Sequence, residues 1–110
     1  MKRVLKLFFT AMAAVSCMDN NPFLSEWETP YGIPDFSAVQ EKHYIPAVEA
    51  GIAQQQAEIE AIIANTEEPT FANVVEAYEK SGAILDRVTG VLFNLSETDA
   101  TASLQAIVEE

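Results

Sequence analysis

Ala83-Ile84-Leu85-Asp86-Arg87-Val88-Thr89-Gly90-Val91-Leu92-Phe93-Asn94-Leu95 decides the fold of this chain. Its apolar residues Ile84, Leu85, Val88, Val91, Leu92 and Leu95 recur every three or four positions, so they line one face of a helix over about Ala83 to Asn94. Six apolar side chains on one stripe need a partner surface. The same period is legible upstream. From about Lys42, Ile45, Val48, Ile52, Ile59, Ile62 and Ile63 mark a first helix whose opposite face is rich in Gln and Glu. Pro46 falls in its first turn, where the amide it lacks has no intrahelical partner, and Asn65, Thr66 and Pro69 end it.

Between these two helices, Thr70 is placed to cap a shorter one running from Phe71 to Glu79 or Lys80. Glu76 and Lys80 form an i,i+4 pair on it, and Gly82 interrupts the run. Downstream, Ser96 to Thr101 reads as a polar turn, and a fourth helix starts near Ala102 with Leu104, Ile107 and Val108. It ends at Glu109-Glu110 without a capping glycine, and two acidic residues oppose its dipole, as expected of an interrupted helix. The expected fold is all-α, with antiparallel helices following an extended amino-terminal segment. In that segment Pro22, Pro30, Gly32 and Pro34 break regular structure, while Phe23, Leu24, Trp27, Tyr31, Ile33 and Phe36 are expected to pack onto the helices.

The first sixteen residues stand apart. Met1 to Lys6 is basic, Leu7 to Val15 is an apolar run of nine, and Ser16-Cys17 follows, which is the layout of a secretory signal peptide. As a helix that run spans roughly 14 Å, about half of a ~30 Å hydrocarbon core, so it is too short for a transmembrane anchor. Ala14-Val15-Ser16-Cys17 resembles a bacterial lipobox, which makes Cys17 a candidate for lipidation. The alternative is an ordinary signal peptide cleaved nearby, with Cys17 a bystander. The organisation expected is a signal peptide over 1–16, a lipid-anchor spacer and extended segment over 17–38, and a helical region over 39–110. The location expected is the cell envelope, periplasm or outer membrane.

Charge sharpens the function classes. From Cys17 onward, three basic residues face seventeen acidic ones, a balance of −14. Such a surface is repelled by phosphate backbones and anionic headgroups, which argues against nucleic acid as a partner and against an electrostatic membrane contact. One Cys and one His exclude an internal disulfide and the usual structural zinc sites. His43, beside Glu41 and Tyr44, has no second group to hold its ring and is expected to pack or cap. Glu58 and Glu60 lie about 200° apart around a helix and are read as charged surface, as are Glu67 and Glu68 in a turn. Arg87 is expected to pair with a neighbouring helix. Asn94-Leu95-Ser96 fits a glycosylation sequon, set aside because the leader is bacterial in type. No residue of the chain is assigned a catalytic or metal-binding role.

The wording of Asn21 to Leu95 carries a more specific signal. Asn21-Pro22-Phe23-Leu24, Thr29-Pro30-Tyr31-Gly32-Ile33-Pro34-Asp35-Phe36, Lys42-His43-Tyr44-Ile45-Pro46-Ala47, Glu68-Pro69-Thr70-Phe71-Ala72-Asn73-Val74-Val75-Glu76-Ala77 and Leu85-Asp86-Arg87-Val88 follow in order. This resembles the amino-terminal end of the thimet oligopeptidase family of zinc metallopeptidases, in particular peptidyl-dipeptidases (dipeptidyl carboxypeptidases) and oligopeptidase A. Lys42 stands where that family usually has an acidic residue. The resemblance implies a mostly helical, two-lobed body around a channel that admits short peptides. It also implies a zinc cofactor held by an H-E-x-x-H helix and a further glutamate, several hundred residues beyond Glu110. The chain is accordingly expected to be an amino-terminal piece, catalytically silent alone, with the remaining peptidase covering the stripe over 84–95. The alternative is a free-standing small acidic helical lipoprotein that binds a partner protein through that stripe.

Overall fold

The computed structural model describes residues 21–110. The signal peptide expected over 1–16 and the lipidation candidate Cys17 lie outside the described residues. Among those described, the regular elements are helical: α1 (Tyr44–Ala64), a π-helical turn (Phe71–Glu76) running into α2 (Ala77–Glu79), α3 (Ala83–Thr98) and α4 (Ala102–Glu109), with 3-10 turns at Pro30–Gly32 and Glu41–His43. No strand occurs among them. The all-α expectation holds. α1 and α3 run antiparallel, since Gly51 of α1 abuts Leu85 near the start of α3 and Glu58, two turns later in α1, reaches back to Gly82.

One core joins the amino-terminal segment to three helices. Phe23, Tyr44, Ala47, Val88, Val91, Leu92 and Leu104 form its buried centre, flanked by Leu24, Trp27, Val39, Val48, Leu85, Leu95, Ile107 and Val108. Phe23 is fully buried, its ring 5.3 Å from that of Tyr44 and 6.2 Å from that of Trp27. Burying an aromatic ring of this size is worth several times the energy of a surface contact. The extended segment is therefore part of the core at Phe23, Leu24 and Trp27. It is not part of it at Tyr31, Ile33 and Phe36, which remain exposed, contrary to expectation.

Three further boundaries differ from the sequence reading. The face of α1 turned to the core is Tyr44, Ala47 and Gly51, one position away from the isoleucine stripe, and Ile52 and Ile63 are exposed. The reason is close packing. A Cβ on Gly51 would sit 2.9 Å from the Leu85 backbone nitrogen, so the helices touch across small residues. Next, α3 continues through Thr98, past the expected turn at Ser96. There the Ser96 and Thr98 hydroxyls donate to the Phe93 and Asn94 carbonyls one turn back within the helix. Finally, the short helix opens in π rather than α geometry. Its cap is as expected: Thr70 Oγ1 accepts from the Asn73 amide (3.1 Å) and Asn73 Oδ1 accepts from the Thr70 amide (2.7 Å), with Asn in place of the usual Glu or Gln.

Candidate functional site

Two polar clusters and one open groove contain several of the residues that the sequence singled out. The first cluster is built on the 3-10 turn ahead of α1. His43 Nδ1 accepts from the Gln40 amide at 3.0 Å and the His43 carbonyl accepts from Asn21 Nδ2 at 2.8 Å. The ring is thus a cap, as expected, and Nδ1 must be unprotonated to act as one. Partial burial, then the neighbouring Lys42 ammonium, hold the imidazole below its usual pKa. Beside it the Glu41 carboxylate accepts from Ser103 Oγ (2.7 Å) and Thr101 Oγ1 (3.3 Å) at the start of α4. A carboxylate there complements the helix dipole. Burial, then Glu41, push the Tyr44 phenol above its ordinary pKa. His43 and Glu41 are thus engaged in capping, while Tyr44 belongs to the core.

The second cluster ties α1 to α3. Glu58 Oε2 accepts from the Gly82 amide at 2.8 Å and Oε1 from Gln54 Nε2 at 2.8 Å. Glu60, by contrast, is on the surface, where it accepts from Gln56 Nε2. The reading of Glu58 as mere charged surface is corrected: it anchors a glycine with φ of +79°, a backbone state that places the Gly82 amide toward α1. A periodicity search does not find such a contact because it pairs residues 24 apart. Arg87 is also reassigned. It reaches the amino-terminal segment instead of a neighbouring helix, donating through Nη1 to the Phe23 (2.8 Å) and Ser25 (3.0 Å) carbonyls, its guanidinium 5.4 Å from the Trp27 ring centre.

The groove lies between the end of α1 and α2, lined by Glu58, Ala61, Ile62, Asn65, Asn73, Ala77, Lys80 and Ser81. Its walls are mostly apolar and it opens to solvent. Lys80 forms the expected pair with Glu76 at 3.8 Å, with both side chains at least half exposed, which makes it a minor contribution to stability. Among the described residues no three His, Cys, Asp or Glu side chains come together in a way that could hold a metal ion. The single imidazole is already a backbone cap. These residues do not fit a zinc centre, and no hydrolytic step is assigned to them.

Comparison with known proteins adds what geometry does not. No family model matches the chain. It is 39% identical over 92 residues to a dipeptidyl carboxypeptidase of Salmonella typhimurium and 40% identical over 90 residues to that of Escherichia coli, covering 84% and 82% of this chain. The chain is a homologue of dipeptidyl carboxypeptidase and oligopeptidase A. A probable cytosolic oligopeptidase A of Arabidopsis thaliana extends the set at 30% identity over 99 residues. The chain spans 13–14% of the length of these relatives. The dipeptidyl carboxypeptidase match takes in more residues than any one element, so it concerns the helical fold as a unit. Against that background, the clusters at Glu41–His43 and Glu58–Gly82 are features of scaffold.

Proposed function

We propose that this chain is the amino-terminal helical part of an exported, lipid-anchored zinc peptidyl-dipeptidase, which removes dipeptides from the carboxyl ends of short peptides. The observation that carries the reading is 39–40% identity to two dipeptidyl carboxypeptidases over 90–92 residues. In this reading zinc and the catalytic groups belong to polypeptide beyond residue 110, and residues 21–110 supply scaffold. Cys17 carries the lipid, and the spacer after it leads into Phe23.

The alternative, a free-standing interaction module, needs an available stripe over 84–95. Val88, Val91 and Leu92 are buried by α1, α4 and Phe23 of the same chain, which leaves only the half-buried Ile84, Leu85 and Leu95 of that stripe for a partner.

The test is the size and chemistry of the native product. An antibody raised against residues 40–95 should detect, in membrane fractions of the source cells, a band several times larger than 12.1 kDa. The protein in that band should release dipeptides, lose the activity to a chelator and regain it with zinc. A native band near 12.1 kDa overturns the peptidase reading. Cys17→Ser should abolish incorporation of a clickable fatty acid; incorporation that persists removes the anchor at this position.

A further inference from the structure

The π-helical turn and α2 present their apolar stripe away from the helix that supports them. Asn73, Ala77 and Lys80 line the groove against α1. Phe71, Val75 and Tyr78, at i, i+4 and i+7, lie on the other side of the same helix and are 71%, 49% and 61% exposed. Val74 is also exposed, and Ile63, 77% exposed, adds to the uncovered apolar surface near the end of α1. A helical stretch this short gains little from propensity and is held in place by packing. Its larger apolar residues nevertheless point to solvent. Single exposed apolar residues are ordinary, but a clustered set marks a contact surface.

Charge decides between occupants. Glu67, Glu68, Glu76 and Glu79 flank this stripe and are all exposed, with Lys80 the one basic residue among them. A second copy would bring the same acidic rim, and residues 21–110 carry three basic against sixteen acidic residues, a balance of −13. Like charges face to face oppose self-association. The occupant must be apolar at its centre and basic at its edge. Resting on the peptidase reading above, we infer that the face formed by Phe71, Val75 and Tyr78 is the seam on which polypeptide beyond residue 110 of the same protein packs, presenting an apolar surface rimmed by Lys or Arg. The relatives devote about six-sevenths of their length to sequence outside the matched stretch, so the chain's relatives have ample polypeptide to supply that cover.

The experiment places a photoreactive phenylalanine analogue at position 78 of the full native protein, with position 31 as control because Tyr31 is 99% exposed and lies outside the proposed seam. Irradiation at 78 should leave the mass on a denaturing gel unchanged and yield peptides joining residue 78 to positions after 110. The linked segment should contain apolar residues flanked by Lys or Arg, and the yield should exceed that at position 31 several-fold. A cross-linked dimer, a cross-link to another protein, or a yield at 78 no higher than at 31 each overturns the inference while leaving a zinc-dependent peptidase intact. A native product of 12.1 kDa overturns both.

Discussion

His43 shows how a single side chain can look catalytic in sequence and be structural in space. Its Nδ1 accepts from the Gln40 amide, so only the neutral ring caps the 3-10 turn. Burial and the adjacent Lys42 lower its pKa in the folded state below the ordinary 6.5 of an imidazole. With the folded pKa below the unfolded one, the unfolded state takes up the proton first. The cap's contribution is complete above pH 6.5, falls as pH drops below it and is lost once pH passes the folded pKa. Urea unfolding of the parent chain and of His43→Asn between pH 7.5 and 5 should therefore show the parent losing stability relative to the variant as pH falls, because Asn keeps an acceptor that does not titrate. Parallel pH curves would mean that this imidazole is not linked to folding. The sequence supplied the residue and its capping role, but the acceptor could not be read from it, because it depends on which ring nitrogen meets the Gln40 amide.

Among the elements, the contact between α1 and α3 separates what was legible from what was not. The period of apolar residues located both helices, but it placed the buried face of α1 on Ile45, Val48, Ile52, Ile59, Ile62 and Ile63, whereas the fully buried residues are Tyr44, Ala47 and Gly51, with Val48 beside them and Ile52 and Ile63 exposed. Periodicity weighs side chains by size, while a close helix crossing selects for the lack of it. The informative signal was Ala47 and Gly51 at i and i+4. Two glycine substitutions should thus have opposite signs. Gly51→Ala gains about 1 kcal/mol in helix propensity but drives its Cβ against the Leu85 backbone, where overpacking costs about 1–3 kcal/mol. It should lower stability on balance. Gly90→Ala, in α3 with nothing within 4 Å of the new Cβ, should raise stability by about 0.5–1 kcal/mol. Thermal unfolding of both variants reads this directly. A stabilised Gly51→Ala would show that the helices can move apart at no cost. The extension of α3 through Thr98 has a similar lesson, since Ser96 and Thr98 read as turn residues until their hydroxyls are seen donating within the helix.

At the scale of the whole molecule, Phe23 and Arg87 stand at the centre of the contacts that bind the amino-terminal segment to the helices, alongside Leu24, Trp27 and the Asn21–His43 hydrogen bond. Phe23 enters the core next to Tyr44, and Arg87 closes over it by donating to the Phe23 and Ser25 carbonyls while facing Trp27, whose Nε1 donates to the Pro22 carbonyl. Sequence reasoning anticipated that Phe23 and Trp27 would pack, but not that Arg87, 64 residues after Phe23, holds them. Charge alone also pointed elsewhere, because Asp86 stands next to Arg87 in sequence and backbone carbonyls are not visible to charge counting. Hydrogen bonds from a charged donor are worth roughly 1.5–3 kcal/mol when sheltered, and the half-buried position of Arg87 puts its two bonds at the lower end. Arg87→Met keeps much of the aliphatic bulk and removes both bonds and the cation. It should speed hydrogen exchange across residues 21–27 and expose Trp27, shifting its emission to longer wavelength, while amides in the middle of α1 and α3 keep their protection. Arg87→Lys should restore part of the effect, since an ammonium can donate to a carbonyl but does not present the planar face that guanidinium offers the indole. Equal loss of protection in the segment and in α3 would show that segment and helices open as one unit, and that Arg87 stabilises the fold as a whole instead of latching its first residues.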